Sequence, residues 1–452
     1  MNSAPVVRGE VHQNLYLAVG STEVQALITI DATVVEQPVP VARPKAAEVI
    51  ILDESASMGS PQLKIRCALD AAAAAIDELR DGVLFGVVAG SHEARMVFPR
   101  TPGLVGADER TRQHAKAALA SVAPAGGTAI GSWLDLTRTL LAAHPDAIRH
   151  AILLTDGRDE HESSDDLAVA VAGCEGLFSC DCRGIGDDWS APELRLVSRG
   201  LLGSLDKIAE PQAMAADFAA MMAASMRKEV AEVGLAVWTP VGANVRLVKQ
   251  AAPDPVDLTD RRLAGPSEQV GTYPTGSWGT EQRDFHLAVQ VPPGEVKSER
   301  LACRVQLVQL LPDGSQRPLE QTFVRTRPGG DRESHPQALV SAVWTDDPGR
   351  NVGPHPRVLL SHDQRAVEEA VDVALAAFEA GHHPRAEEWL EAAHAIAQRA
   401  GMHALVARID EMRDPVTGTY QITPPDMIDI GVESSKQEPW RDRTGIEHRE
   451  WV

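Results

Sequence analysis

Val49-Ile50-Ile51-Leu52-Asp53-Glu54-Ser55-Ala56-Ser57 runs from four apolar residues straight into a D-x-S-x-S turn. The apolar run has the length and β-branched character of a buried strand. The turn then gathers one carboxylate and two hydroxyls at the strand's end, all of them hard oxygen ligands. A small divalent cation such as Mg²⁺ takes near-octahedral oxygen coordination, keeps several waters and is held by one or two carboxylates, so this set suits it. Two later stretches repeat the setting. Gly126-Gly127-Thr128 precedes an apolar helix-like run, and Thr155-Asp156-Gly157 follows the apolar strand Ala151-Ile152-Leu153-Leu154. Each piece alone has ordinary uses, because Ser and Asp cap helices and start turns. Three of them, each at a strand-to-helix junction, point to one site drawn from three loops.

Together the D-x-S-x-S, G-G-T and T-D-G stretches resemble the metal-ion-dependent adhesion site of von Willebrand factor type A (vWA) domains, over residues 46–228. Asp53, Ser55 and Ser57 match the first motif, Thr128 the family's threonine and Asp156 its last acid. The resemblance implies a doubly wound, Rossmann-like α/β domain and a bound Mg²⁺, with Mn²⁺ and Ca²⁺ as alternatives. It further implies that Asp53 anchors the cation directly or through water and that Ser55 and Ser57 coordinate through their hydroxyls. Thr128 would join when the site is ligated, and Asp156 would hold a metal-bound water. An Asp or Glu of a partner protein would supply the last ligand. Glu54, between the ligands, is expected to point away.

The sequence around these motifs alternates as a parallel sheet with helical crossovers requires. Val83–Val88 reads as a strand, and Leu63–Leu79 as a helix with Cys67, Ala71, Ala74, Ala75 and Leu79 on one face. Glu109–Val122 and Ser132–Ala143 read as further helices, Phe178–Ile185 as a fifth strand and Met214–Val230 as a closing helix. In open α/β sheets ligands sit at the carboxyl ends of the strands, where the three loops would converge.

Outside this region the texture changes. Residues 14–36 alternate apolar and polar, and so do Val233–Trp238, Ala243–Val248, Phe285–Val291 and Leu301–Leu310, with turns such as Pro292-Pro293-Gly294 between them. Too few strands precede the metal motif to form a stable domain alone. The expected architecture is therefore multidomain: an α/β domain at 46–228 inserted in an antiparallel β-sandwich built from 1–45 and 229–346. A linker at 347–360 leads to a small α-helical hairpin or bundle at 361–413, which resembles one and a half tetratricopeptide-like units and is expected to pack on the sandwich or present a docking face. Residues 414–452 read as a flexible tail with one strand at Met427–Val432. Within that tail Thr417, Thr419, Thr423 and Thr444 read as solvated loop residues able to accept phosphate.

The chain has 452 residues, 44% of them hydrophobic, enough for two or three domains with their own cores. A net charge of −21 argues against nucleic acid or an anionic membrane as the main partner. No apolar run reaches the roughly 20 residues that span a bilayer. The N-terminal segment also lacks the apolar core of a signal peptide, so the expected location is the cytoplasm. Five cysteines, Cys67, Cys174, Cys180, Cys182 and Cys303, do not form a secreted disulfide framework. Cys180 and Cys182 fall on one face of a strand without an obvious fourth ligand, and read as packed thiols rather than zinc ligands. His161 and His382-His383 read as surface histidines.

The sequence carries no G-x-S-x-G elbow, no phosphate-binding G-x-x-x-x-G-K-[ST] and no H-E-x-x-H. Phosphoester hydrolysis would need a second metal or a positioned base that is not evident. The expectation is a non-enzymatic, metal-dependent protein-binding scaffold. The alternative, which follows from the resemblance to intracellular bacterial vWA proteins, is an accessory subunit of a MoxR-type ATPase remodelling machine or of a Ser/Thr kinase or phosphatase complex. The acidic loop 156–162 would favour partners with basic residues flanking their carboxylate.

Overall fold

The computed structural model describes residues 6–33, 44–158, 161–208, 210–350, 353–414 and 419–436. They divide into two units, 6–33 with 232–366, and 44–231 with 367–435.

In the second unit Ala46–Asp53 is a strand buried along its whole length. Leu84–Gly90 pairs with it on one side and Ile148–Thr155 on the other, both parallel. The sheet runs Leu205–Ile208, Ser179–Ile185, Ile148–Thr155, Ala46–Asp53, Leu84–Gly90, Ala94–Phe98. Its last strand is antiparallel. From Ala46–Asp53 the chain first winds toward Ala94–Phe98, then returns to build the other half from Ile148–Thr155 onward. The winding direction therefore reverses between the strands that end in Asp53 and Thr155, the position where open α/β sheets bind ligands.

Successive side chains of a strand point to opposite faces, and both faces here are covered. Ile50 and Leu52 share a core with the helices Leu63–Glu78 and Met214–Ser225. Val49 and Ile51 share the opposite core with Ile130–Ala142, Ser164–Cys174 and Ala191–Gly200. Of the face expected on Leu63–Leu79, Ala71, Ala75 and Leu79 are buried in the first of these cores. Cys67 and Ala74 are half-buried, whereas Ile65, Ala68 and Ala72 lie in the core. The closing helix stops at Ser225 because Val230 already opens the strand Val230–Trp238. All five cysteines are free, and Cys174, Cys180 and Cys182 sit in one apolar core. Among the described residues no three His, Cys, Asp or Glu side chains are grouped to hold a metal.

Among the described residues the first unit contains two seven-stranded sheets. In one of them Val6–Gln13 pairs in parallel with Gln321–Thr326 and antiparallel with Glu23–Thr33, which in turn pairs antiparallel with Glu281–Gln290. The N-terminal strands are thus interior to a sheet whose other members lie after residue 231. The second sheet is built around Val230–Trp238, Glu299–Leu310 and Ala338–Thr345. Sequence alternation missed Val6–Gln13, Val270–Trp278, Gln321–Thr326 and Ala338–Thr345.

Three helices follow at Pro356–Glu379, His383–Ala400 and His403–Glu411. The first begins inside the stretch expected to be linker, because Pro356 is tolerated in a helix's opening turn, where its missing N–H has no partner to lose. The start of the helical region, up to Ala366, belongs to the unit of the flanking strands, where Val358 shares a core with Leu27 and Ala251, and from Val367 onward it belongs to the α/β unit. Buried Arg195 on Ala191–Gly200 binds Asp372 and donates to the Gly431 carbonyl at 2.5 Å, while Lys207 Nζ donates to Asp429 at 2.5 Å. The expected flexible tail with a strand at 427–432 is instead a helix, Pro424–Ser434, over its described part. Thr423 caps it and Asp426 reaches back to the Thr423 N–H, so the Thr423 hydroxyl is engaged. Met427, Ile428, Ile430 and Val432 are buried at helical spacing, which the shorter strand reading overlooked. Thr417 and Thr444 lie outside the described residues. Among the described residues no helix is long and apolar enough to cross a membrane.

Candidate metal centre

Asp53 closes its strand and Thr155 closes the neighbouring one, and the two side chains meet. Thr155 Oγ1 donates to Asp53 Oδ2 at 2.5 Å, and the Ser55 N–H donates to Asp53 Oδ1 at 2.7 Å. The second bond is the local Asx turn that aspartate forms readily with the amide two residues on. Backbone bonds then tie this turn to the glycine loop: the Ala56 N–H donates to the Gly126 carbonyl at 2.9 Å and the Ala125 N–H to the Glu54 carbonyl at 2.7 Å. Glu54 does point away, its carboxylate held by Arg95 Nε at 2.8 Å and Nη2 at 2.5 Å.

Four of the five expected ligands are linked or adjacent through side-chain oxygens. Ser57 Oγ donates to Asp156 Oδ1 at 2.7 Å, so the 2.8 Å contact between Ser55 Oγ and Ser57 Oγ uses the Ser55 proton. The fifth, Thr128, is placed by Gly157. A Cβ built on Gly157 would lie 2.9 Å from Thr128 Oγ1, 3.5 Å from Ser57 Oγ and 3.8 Å from Asp53 Oδ2. Glycine, on the third loop, therefore keeps open a space onto which side-chain oxygens from the other two loops face. Asp53, Ser55, Thr128 and Asp156 are buried and Ser57 is exposed, which leaves the space accessible from one side.

Other residues brace this arrangement. The His161 N–H donates to the Thr128 carbonyl at 3.2 Å. Glu162 accepts from the Gly131 and Ser132 N–H groups at 2.8 and 3.0 Å, capping the helix that follows Thr128. Within the acidic loop, then, Glu162 has a structural task; Asp159 and Glu160 lie outside the described residues. His161 is exposed, as expected, and rests against Gly127. Lys64, one turn beyond the first motif, donates to Asp156 Oδ2 at 2.8 Å. Sequence reading passed over Lys64, gave Thr155 and Gly157 no role beyond their place in the T-D-G stretch, and counted Glu162 only as part of the acidic loop. Thr155 and Gly157 flank a ligand directly, which is the signal that could have found them.

Burial pushes the Asp53 carboxyl up to about 6, with hydrogen bonds from Ser55 and Thr155 opposing it and the nearby Asp156 charge adding to it. Such a carboxylate gains from an added cation. The donor set contains only oxygens, two of them carboxylate groups, and so fits a hard divalent ion.

A second polar cluster lies within the same sheet. His150 Nδ1 is 2.7 Å from Glu48 Oε2 and Nε2 is 3.0 Å from Asp181 Oδ2, while Ser225 Oγ donates to Glu48 Oε1 at 2.6 Å. Both ring nitrogens face carboxylates, so both donate and the ring is imidazolium. Burial alone would lower its pKa, but the two carboxylates outweigh burial and raise it to about 10.

Residues 47–206 match the family model described as the von Willebrand factor type A domain. The chain is similar to the solved structure of a von Willebrand factor type A protein from Catenulispora acidiphila, with 37% identity over 97% of this chain and 98% of that one and a TM-score of 0.85. The structure of the ArnB paralog VWA2 from Sulfolobus acidocaldarius, 12% identical over 95% of this chain and 97% of that one at a TM-score of 0.53, shares the fold. An uncharacterised protein of Synechocystis sp. is 27% identical over 218 residues, 46% of this chain and 49% of that one. The chain thus spans about half the length of this curated relative.

Proposed function

The chain belongs to the von Willebrand factor type A family, and from that premise we propose that it is a non-enzymatic scaffold that captures a partner protein's carboxylate through a divalent cation. One observation carries the reading: side-chain oxygens of Asp53, Ser57 and Thr128 face the space left by Gly157 where the sheet's winding reverses. Asp53, Ser55, Ser57, Thr128 and Asp156 would hold the ion, Mg²⁺ before Mn²⁺ or Ca²⁺. When bound, the ion supplies an electrophilic coordination position that a partner's Asp or Glu can fill. The chain's own groups prepare it: Thr155 and the Ser55 amide fix both oxygens of Asp53, and the Ser55–Ser57–Asp156 chain orients the hydroxyls.

We read the site as binding and not catalytic. The His150 cluster has the residue types of a nucleophilic centre, but its imidazole is 6% exposed and already protonated on both nitrogens, so it offers no base. We further read the two sheets of the first unit as a sandwich into which the α/β domain is inserted, and the whole as a cytoplasmic bacterial protein. Service in an ATPase, kinase or phosphatase assembly is one destination for the same bridge. The test is capture from a lysate by wild type and Asp53→Ala, each with Mg²⁺ and with EDTA. The reading expects a partner retained by wild type with Mg²⁺ alone. Partners indifferent to both changes would overturn it.

A further inference from the structure

Lys64 is the one cation the described structure places on a carboxylate of the metal centre. Its Nζ lies 2.8 Å from Asp156 Oδ2, and Ser57 holds the other oxygen, Oδ1, at 2.7 Å. The ammonium therefore holds the Asp156 oxygen that the hydroxyl chain leaves free. It is held there: the side chain is 12% exposed, its end lies 3.7 Å from where a Gly186 Cβ would stand, and exposed Asp188 is 3.9 Å away. Helix stability does not account for it. Lys64 is the second residue of Leu63–Glu78, where the helix dipole presents its positive end and disfavours a cation. The neighbouring ionic groups are already matched, Glu54 by Arg95 and Arg158 by Glu379.

We propose that Lys64 tunes the centre's charge, giving up affinity for the cation in order to raise affinity for the partner's carboxylate. This rests on the cation-bridge reading above. Asp53 and Asp156 bring two negative charges and Lys64 one positive charge, so the centre carries one net negative charge, with Asp188 outside it, exposed and screened by solvent. A divalent cation converts that to one net positive charge, which an incoming carboxylate neutralises. Without Lys64 the centre would carry two negative charges. The cation would be held more tightly, and the loaded centre would be neutral and less attractive to an anion. Charges at such separations in a partly buried site interact strongly enough to move each affinity by roughly tenfold. The two shifts have opposite signs, which a purely structural role does not produce.

The test uses the full chain with Mn²⁺ as the probe cation, titrated by electron paramagnetic resonance. Acetate is the probe carboxylate, followed by loss of metal-bound water in proton relaxation. Lys64→Met should bind Mn²⁺ roughly tenfold more tightly and acetate roughly tenfold more weakly than wild type, and Lys64→Arg should restore both. Lys64→Gln, which keeps a donor for Asp156 without the charge, should behave as Lys64→Met and covers the case in which Met lowers the melting temperature. Should the charge-free variants leave both affinities unchanged, or move them in the same direction, the proposal fails while the cation bridge stands. Absence of Mn²⁺ binding, or of any acetate effect, in wild type would instead remove the bridge reading itself.

Discussion

Gly157→Ala separates the metal centre from the fold. Gly157 has a backbone conformation open to any residue, so alanine brings no dihedral strain. Its smaller unfolded-state entropy favours the folded chain by about 0.4–1 kcal/mol. The new Cβ would stand 2.9 Å from Thr128 Oγ1, closer than such contacts allow, and 3.5 Å from Ser57 Oγ. Thr128 must therefore withdraw by a few tenths of an ångström, beyond the roughly 0.2 Å tolerance of a metal–ligand distance. Disturbances of this kind around a metal lower affinity by about 10–100-fold, which is about 1.4–2.7 kcal/mol. Mn²⁺ titration and thermal unfolding of the same samples are the assay. The expected result is weakened Mn²⁺ binding at a melting temperature within a few degrees of wild type. Wild-type affinity in a stably folded Gly157→Ala chain would refute the claim that this space receives the ion.

Asp53 titrates near 6, above its ordinary 3.8. Without metal its ionisation weakens the fold as pH rises through 6, and a bound cation must displace its proton, so Mn²⁺ affinity should fall as pH drops below about 6; a flat profile from pH 5 to 7.5 would contradict this. His150 has a folded pKa of about 10 against an ordinary 6.5, so the stability it adds is complete below pH 6.5 and fades as pH rises toward 10. His150→Gln removes the charge that Glu48 and Asp181 share, leaving Asp181 only the Arg183 charge, and should cost about 3–5 kcal/mol at pH 7 in urea unfolding, the difference from wild type shrinking toward pH 10. Ile428→Ala, in the core shared with Val197 and Leu194, should cost about 2–4 kcal/mol of local stability and speed amide exchange across Pro424–Ser434. Unaltered exchange there would show that the helix does not depend on this packing.

Much of the α/β unit was legible because its signals are local. An apolar run ending in D-x-S-x-S fixes both a buried strand and the residues at its tip, and the same holds for Leu154-Thr155-Asp156. The helix Pro424–Ser434 was misread although Thr423-Pro424-Pro425-Asp426 carries a capping box with proline in the first turn; its polar surroundings outweighed that signal. The short edge strand Ala94–Phe98 gave no run long enough to detect. Lys64 and the His150 network were illegible for a different reason. A lysine in a first helical turn, or a histidine, glutamate and aspartate in three separate strands, acquires meaning only when the sheet register sets the groups side by side. Glu48 and His150 are direct cross-strand neighbours, which sequence separation conceals.

The most direct measurement is an electron paramagnetic resonance titration of Mn²⁺ into wild type and Asp53→Ala at pH 7.5, with melting temperatures recorded alongside. The account predicts one bound ion in wild type, displaced by Mg²⁺, and none in an equally folded Asp53→Ala chain. Binding of equal strength in both, or in neither, would contradict it.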